Sequence, residues 1–183
     1  MGRDKLLLEV DGVPLLRRVH DALAGRCAEV ILVGDGPARL EGIRQVPDER
    51  TGGQGPLAGL EAGLAVAGNR LVFVAAADLP FLPEEMVGFA LERLEERGSR
   101  AVVPRYGGTA HPLCAAYDSR ILPRVRSALD GGVRSVREFL DSLDRVEYVE
   151  GELRQFGDPE LLLMNVNSPE DLDRARAISG GVP

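Results

Sequence analysis

Asp78 closes the most apolar run of the chain, Leu71 to Ala76 (LVFVAA), in the tripeptide Asp78-Leu79-Pro80. A carboxylate at the end of a buried strand faces the crevice where open α/β sheets bind ligands. There it can hold a hard cation such as Mg²⁺ through oxygen. The same residue also suits an Asx turn, or a cap for a helix beginning after Pro83. Lys5 is the single lysine in a chain with twenty-one arginines. An ammonium is a compact point charge that fits between phosphate oxygens, whereas a guanidinium is a broad fork. A lysine kept by chance on a solvated face is the plain alternative. Thr51-Gly52-Gly53-Gln54-Gly55-Pro56-Leu57 is glycine-rich and leads into a helix. Free N–H groups at a helix start can take anions or base edges. The run is neither a Walker loop nor a dinucleotide fingerprint, because the residues those motifs require do not follow.

Three further positions carry polar chemistry, each with an ordinary reading beside the functional one. Asp48 ends a strand, where a solvated turn residue is common. His111 begins a strand in His111-Pro112-Leu113, where a structural histidine is common. Asn165 and Asn167 precede a helix, where turn chemistry is common, although two amides there could also face a metal or a polar ring. Spacing supports no Ser-His-Asp or Cys-His arrangement, and a zinc cluster lacks ligands. Cys27 and Cys114 are far apart and read as small core residues of a protein in a reducing cytosol.

The elements that must position these groups alternate between strand and helix. Helical spacing covers residues 15–23, 55–67, 83–97, 120–129, 135–143 and 168–178. Strand-like runs cover 28–33, 43–46, 71–76, 101–104, 111–117, 145–149 and 161–164. Pro14 and Pro56 suit first helical turns. Ser168-Pro169-Glu170-Asp171 combines an N-cap, an early proline and early acids. Repeated βα units predict an open, mostly parallel sheet covered by helices. A sheet of this kind normally begins with a strand whose following turn meets the ligand, yet Met1 to Lys5 reads as the end of a loop.

The 183 residues are enough for one domain with a real core, and 44% hydrophobic with 28% charged is ordinary for a globular protein. No apolar run is long enough to span a membrane, and no basic-then-apolar leader opens the chain. A net charge of −7 without a basic tract argues against nucleic acid as a partner. An anionic substrate would need local cations, helix N-termini or a metal.

Taken in order, several motifs resemble those of the molybdenum cofactor guanylyltransferases. They are Arg3-Asp4-Lys5, Gly55-Pro56-Leu57-Ala58-Gly59, Asp78-Leu79-Pro80, His111-Pro112-Leu113 and Asn165-Val166-Asn167-Ser168-Pro169-Glu170-Asp171-Leu172. The resemblance implies a three-layer, Rossmann-like nucleotidyltransferase fold over residues 1–183, acting in the cytoplasm. It implies transfer of GMP from GTP to molybdopterin or the molybdenum cofactor, with Mg²⁺. Other cofactor-biosynthesis proteins or acceptor molybdoenzymes are implied partners. By the resemblance Lys5 contacts nucleotide phosphates, Asp48 lies near the guanine, and Gly55, Pro56 and Leu57 line the nucleotide site. Asp78 is the implied Mg²⁺ ligand, and His111, Asn165 and Asn167 face the pterin side. The family signature has a strand and a Leu-Ala-Gly-Gly turn ahead of an Arg-Met-Gly to which Met1 corresponds. The expectation is therefore a natural protein that is longer at its N-terminus. A relative using CTP, one acting on a phosphosugar or phosphoalcohol, or a binding module without catalysis are the alternatives.

Overall fold

The computed structural model describes residues 5–36, 40–48, 50 and 55–180. A short 3-10 turn at Lys5–Leu7 leads to a small antiparallel ladder, β1 (Glu9–Val10) with β2 (Val13–Pro14). Asp11 and Gly12 close it, both at positive φ, the geometry a two-residue hairpin demands. Helix α1 (Leu15–Ala24) turns Leu15, Leu16 and Val19 inward. Strands β3 (Ile31–Val33) and β4 (Arg44–Val46) pair in parallel. Helix α2 (Pro56–Val66) follows, with proline in its first turn, then β5 (Leu71–Ala75). Helix α3 (Glu84–Arg97) has acids in its first turn, Arg97 in its last and Gly98 in the left-handed conformation as its stop.

The second half contains β6 (Ala101–Tyr106), β7 (Thr109–Ala110), β8 (Cys114–Asp118), α4 (Leu122–Asp130), α5 (Val136–Asp141) and β9 (Val146–Val149). It closes with α6 (Pro159–Leu162) and α7 (Pro169–Ser179). The larger sheet runs β5-β8-β6-β7, and β9 also pairs with β6. The expected mostly parallel sheet is corrected here: β8 is antiparallel to both β5 and β6, and only β9 joins this sheet in parallel. The cause is local. Gly107 and Gly108, both at positive φ, reverse the chain after β6, and too few residues remain before β8 for a crossover helix. The strand expected at 161–164 is also corrected. Asp158 caps the N–H of Glu160 at 3.0 Å and Pro159 opens a helix, so start signals prevail over a short apolar run.

Side chains alternate across the sheet into two cores. Val102, Cys114 and Ala116 join Val19, Met86, Val87 and Leu94 on the α1–α3 side. Ala101, Val103, Ala115 and Tyr117 join Leu57, Leu60, Val125 and Phe139 on the α2–α4–α5 side. This period of two makes three layers. Each fully buried Leu, Met or Phe contributes roughly 1.5–3 kcal/mol. Burial pushes the Cys114 thiol up to about 12, an inert core group. A third cluster joins Val10 and Leu15 to Met164, Val166, Leu172 and Ala175, so the C-terminal segment docks against the β1–β2 hairpin.

Among the described residues no backbone ladder links β3 to β5. An apolar slot of about 350 Å³ separates them, bounded by Leu23 of α1, by Cys27 just beyond that helix, and by Gly59, Leu60 and Gly63 from α2.

Candidate active site

Asp78 lies just beyond the end of β5, and its residue is only 7% exposed. Its main-chain oxygen accepts the Val166 N–H at 3.0 Å, and its Oδ1 accepts Nδ2 of Asn165 at 2.7 Å. The carboxylate is thus held in place by the segment that leads into α7. A charge-assisted hydrogen bond of this kind makes burial of the carboxylate tolerable. The donor set fits Mg²⁺: a hard carboxylate oxygen with an amide beside it. Among the described residues no three His, Cys, Asp or Glu gather to cage a metal.

The two asparagines, alike in sequence, have different tasks. Asn165 reaches Asp78. The Asn167 N–H donates to Asp171 Oδ2 at 3.0 Å, as does that of Ser168 at 2.9 Å, while Ser168 Oγ accepts from the Asp171 N–H. This capping box starts α7.

Gly55 has φ +78°, and a Cβ there would meet the Arg134 carbonyl oxygen at 2.8 Å. The Leu57 N–H donates to that same oxygen at 3.1 Å. One of the N–H groups at the start of α2 is therefore engaged by protein, and the Leu57 side chain is fully buried in the core. Residues Thr51 to Gln54 and the side chain of Lys5 lie outside the described residues.

Asp48 is half-buried, and its Oδ1 accepts the Arg50 N–H at 3.2 Å. Arg50 then fixes this turn to two helices. Its Nε donates to Glu61 Oε2 at 2.6 Å on α2, and its Nη1 to Asp130 Oδ1 at 2.9 Å on α4. The hydrogen bonds from Arg50 hold the Glu61 carboxyl below the usual carboxylate range.

A cleft of about 270 Å³ opens beside the Asp78–Asn165 pair. Its lining includes Pro56, Leu79, His111, Ser135, Arg137 and Asn165. Pro56, His111 and Asn165 come together there, whereas Asp48 stands elsewhere. The strand expected to begin at His111 begins instead at Cys114, and His111 lies in the turn between β7 and β8, where its N–H donates to the Pro104 carbonyl at 2.9 Å. Burial, and then the Arg137 charge, hold the His111 imidazole below its ordinary value, so it is neutral at pH 7. Nη2 of Arg137 donates to the Ala110 carbonyl at 3.0 Å. Sequence reasoning passed over Arg50 and Arg137: among twenty-one arginines neither spacing nor neighbours distinguish them.

The opposite end of β5 carries a purely structural cluster. Leu71 there pairs in register with Asp118 of β8. Asp118 accepts from Arg120 Nη2 at 2.6 Å and Arg70 Nη1 at 3.1 Å. Arg120 chiefly lowers its carboxyl to about 2.

The model of the MobA-like NTP transferase domain matches residues 1–146. A probable molybdenum cofactor guanylyltransferase from Pelotomaculum thermopropionicum is 38% identical over 183 residues, covering 98% of this chain and 87% of that protein. A molybdenum cofactor guanylyltransferase from Pseudomonas putida is 32% identical over 93% of this chain and 87% of its own. The crystal structure of molybdopterin-guanine dinucleotide biosynthesis protein A from Archaeoglobus fulgidus superposes with a TM-score of 0.83. It is 26% identical, over 99% of this chain and 93% of its own. A cytidylyltransferase from Thermus thermophilus, 22% identical with a TM-score of 0.72 over 96% of this chain and 93% of its own, shares the fold. With its site at the strand ends and these relatives along nearly its whole length, the chain belongs to the MobA-like NTP transferases, alongside the molybdenum cofactor guanylyltransferases.

Proposed function

We propose that this enzyme transfers GMP from GTP to molybdopterin or the molybdenum cofactor and releases pyrophosphate. The observation that carries the reading is the Asp78–Asn165 pair beside the cleft, in a chain whose full-length relatives bear that name. An oxygen of the acceptor's phosphate attacks the α-phosphorus of GTP, and the bond from that phosphorus to the pyrophosphate oxygen breaks. The nucleophile is already an anion at pH 7, so no general base is needed. Catalysis then rests on positioning and charge neutralisation.

Asp78 would hold Mg²⁺, with Asn165 fixing the carboxylate. When bound, the ion neutralises charge on the nucleotide phosphates. Lys5 would add a point charge to the same phosphates. Asp48, set by its turn with Arg50, would face the guanine, and Gly55 and Pro56 would form the floor beneath the nucleotide, with Leu57, buried in the core, anchoring that start of α2. His111 and Asn165 would face the acceptor, with Asn167 shaping the turn between them and α7. The cytoplasm, where GTP and reduced thiols occur, suits such chemistry, and other cofactor-biosynthesis proteins or acceptor molybdoenzymes are fitting partners.

Thermal shift with Mg²⁺ and each of GTP, ATP, CTP and UTP tests the nucleotide, and release of pyrophosphate on adding molybdopterin tests the reaction. Stabilisation by CTP in preference to GTP would replace this reading with that of a cytidylyl-transferring relative.

A further inference from the structure

The cleft beside Asp78 has a lining that the nucleotide does not need. Arg137 is its one permanent cation, and no carboxylate belongs to the lining among the described residues. Its other polar side chains include the amide of Asn165, the hydroxyl of Ser135 and the imidazole of His111. His111 and Arg137 line this same cleft. The Ala110 carbonyl holds one arm of the Arg137 guanidinium at 3.0 Å, so the charge is oriented by the backbone as well as tethered to α5. The whole chain carries a net charge of −7, so an anion comes to rest only where a local cation is set for it.

The chemistry requires such a place. In an in-line displacement the attacking oxygen approaches opposite the leaving pyrophosphate. The acceptor's phosphate therefore cannot share the cations that hold the leaving group, and it needs its own. We infer that this cleft seats the phosphate monoester of the acceptor, with Arg137 as its counter-ion and the His111 imidazole beside it. The inference rests on the guanylyltransferase reading for the identity of the acceptor. Arg137 presents a planar fork that matches two phosphate oxygens. At about 270 Å³ the cleft falls just below the roughly 300–1,000 Å³ usual for a whole ligand, so it takes the phosphate end of the acceptor and leaves the rest outside.

The two histidines make the test direct. His20 lies on α1 beside Asp21, and His111 lies in the cleft. Inorganic phosphate is titrated into the protein while the imidazole carbon-bound protons are followed by NMR. The His111 signal should move and saturate while that of His20 stays in place. Arg137→Gln should raise the midpoint tenfold or more, and Arg137→Lys should recover part of the loss. An unmoved His111, or an equal response in Arg137→Gln at unchanged melting temperature, overturns the inference.

Steady-state rates supply the second arm. Arg137→Gln should raise KM for molybdopterin about tenfold and leave KM for GTP within twofold. A rise in KM for GTP instead would assign the cleft to the nucleotide and overturn the inference. Absence of GMP transfer by the wild-type protein, with the His111 response intact, would remove the guanylyltransferase reading and leave the anion seat standing.

Discussion

Gly55 lies against the main chain of Arg134, so close that a methyl group on Gly55 would sit 2.8 Å from the Arg134 carbonyl oxygen. That oxygen also receives the Leu57 N–H, which locks the start of α2 to Arg134, two residues before α5. Gly55→Ala adds both a clash with backbone and a penalty for φ +78°. The expected loss is on the order of 1–3 kcal/mol, read as a lower midpoint in urea. A variant as stable as the parent would mean that the contact between these two segments is slack.

Asp78→Asn keeps the size of the side chain and removes its charge. The Val166 N–H still has its main-chain acceptor, so the fold should persist by circular dichroism. Mg²⁺-dependent transfer should fall by at least a hundredfold. Asn165→Ala should weaken Mg²⁺ about 10–100-fold, as loss of an orienting partner does elsewhere. Activity that survives Asp78→Asn would remove the metal assignment from Asp78.

Lys5→Arg tests the need for a point charge. If Lys5 neutralises the nucleotide phosphates as proposed, turnover should drop by one to two orders of magnitude, roughly 1.5–3 kcal/mol in the barrier, because a planar guanidinium does not replace a compact point charge. Wild-type kinetics in this variant would return Lys5 to an ordinary surface position.

Asp118 predicts the acid limb of stability. Its carboxyl is lowered from 3.8 to about 2, chiefly by Arg120, and its side chain is only 3% exposed. A depressed folded value means that the stabilisation is complete above 3.8 and is lost as pH falls through about 2. The amount is on the order of 2 kcal/mol. Asp118→Asn should flatten unfolding free energy against pH over that window, whereas an unchanged slope would assign acid sensitivity to other carboxylates.

The slot between β3 and β5 should show itself in amide exchange. β8 has a strand on each side and should exchange slowest. β3 and the slot side of β5 carry neither lysine nor proline to guard an edge, and they should exchange faster. If both edges already exchange as slowly as β8, the gap closes in solution.

Local signals were legible, and long-range ones were not. The N-cap, early proline and early acids of α7 are written in adjacent residues, and both α7 and α3 stand where the sequence puts them. Leu161 to Met164 reads equally as strand or helix by apolarity alone, and Asp158-Pro159 decided it. Strand direction failed because βα alternation implies crossovers, while Gly107 and Gly108 send the chain straight back. Asn165 and Asn167 look equivalent in sequence because nothing local reveals that the Asn165 side chain reaches Asp78 while the Asn167 main-chain N–H joins a helix cap. Arg137 was hidden by the abundance of its own residue type.

The hydrogen bond from Asn165 to Asp78 spans 87 positions of sequence. Closing so long a loop costs about 4 kcal/mol in chain entropy, more than one hydrogen bond to a carboxylate returns, about 1.5–3 kcal/mol. The contact is therefore sustained by the docking around it, with Leu162 and Leu163 in the α1–α3 core on one side and Met164, Val166, Leu172 and Ala175 against Val10 and Leu15 on the other. That small cluster can open as a unit without disturbing the two larger cores. Under mild urea the enzyme should go silent before it melts, and during synthesis it should become competent only after its last helix has docked.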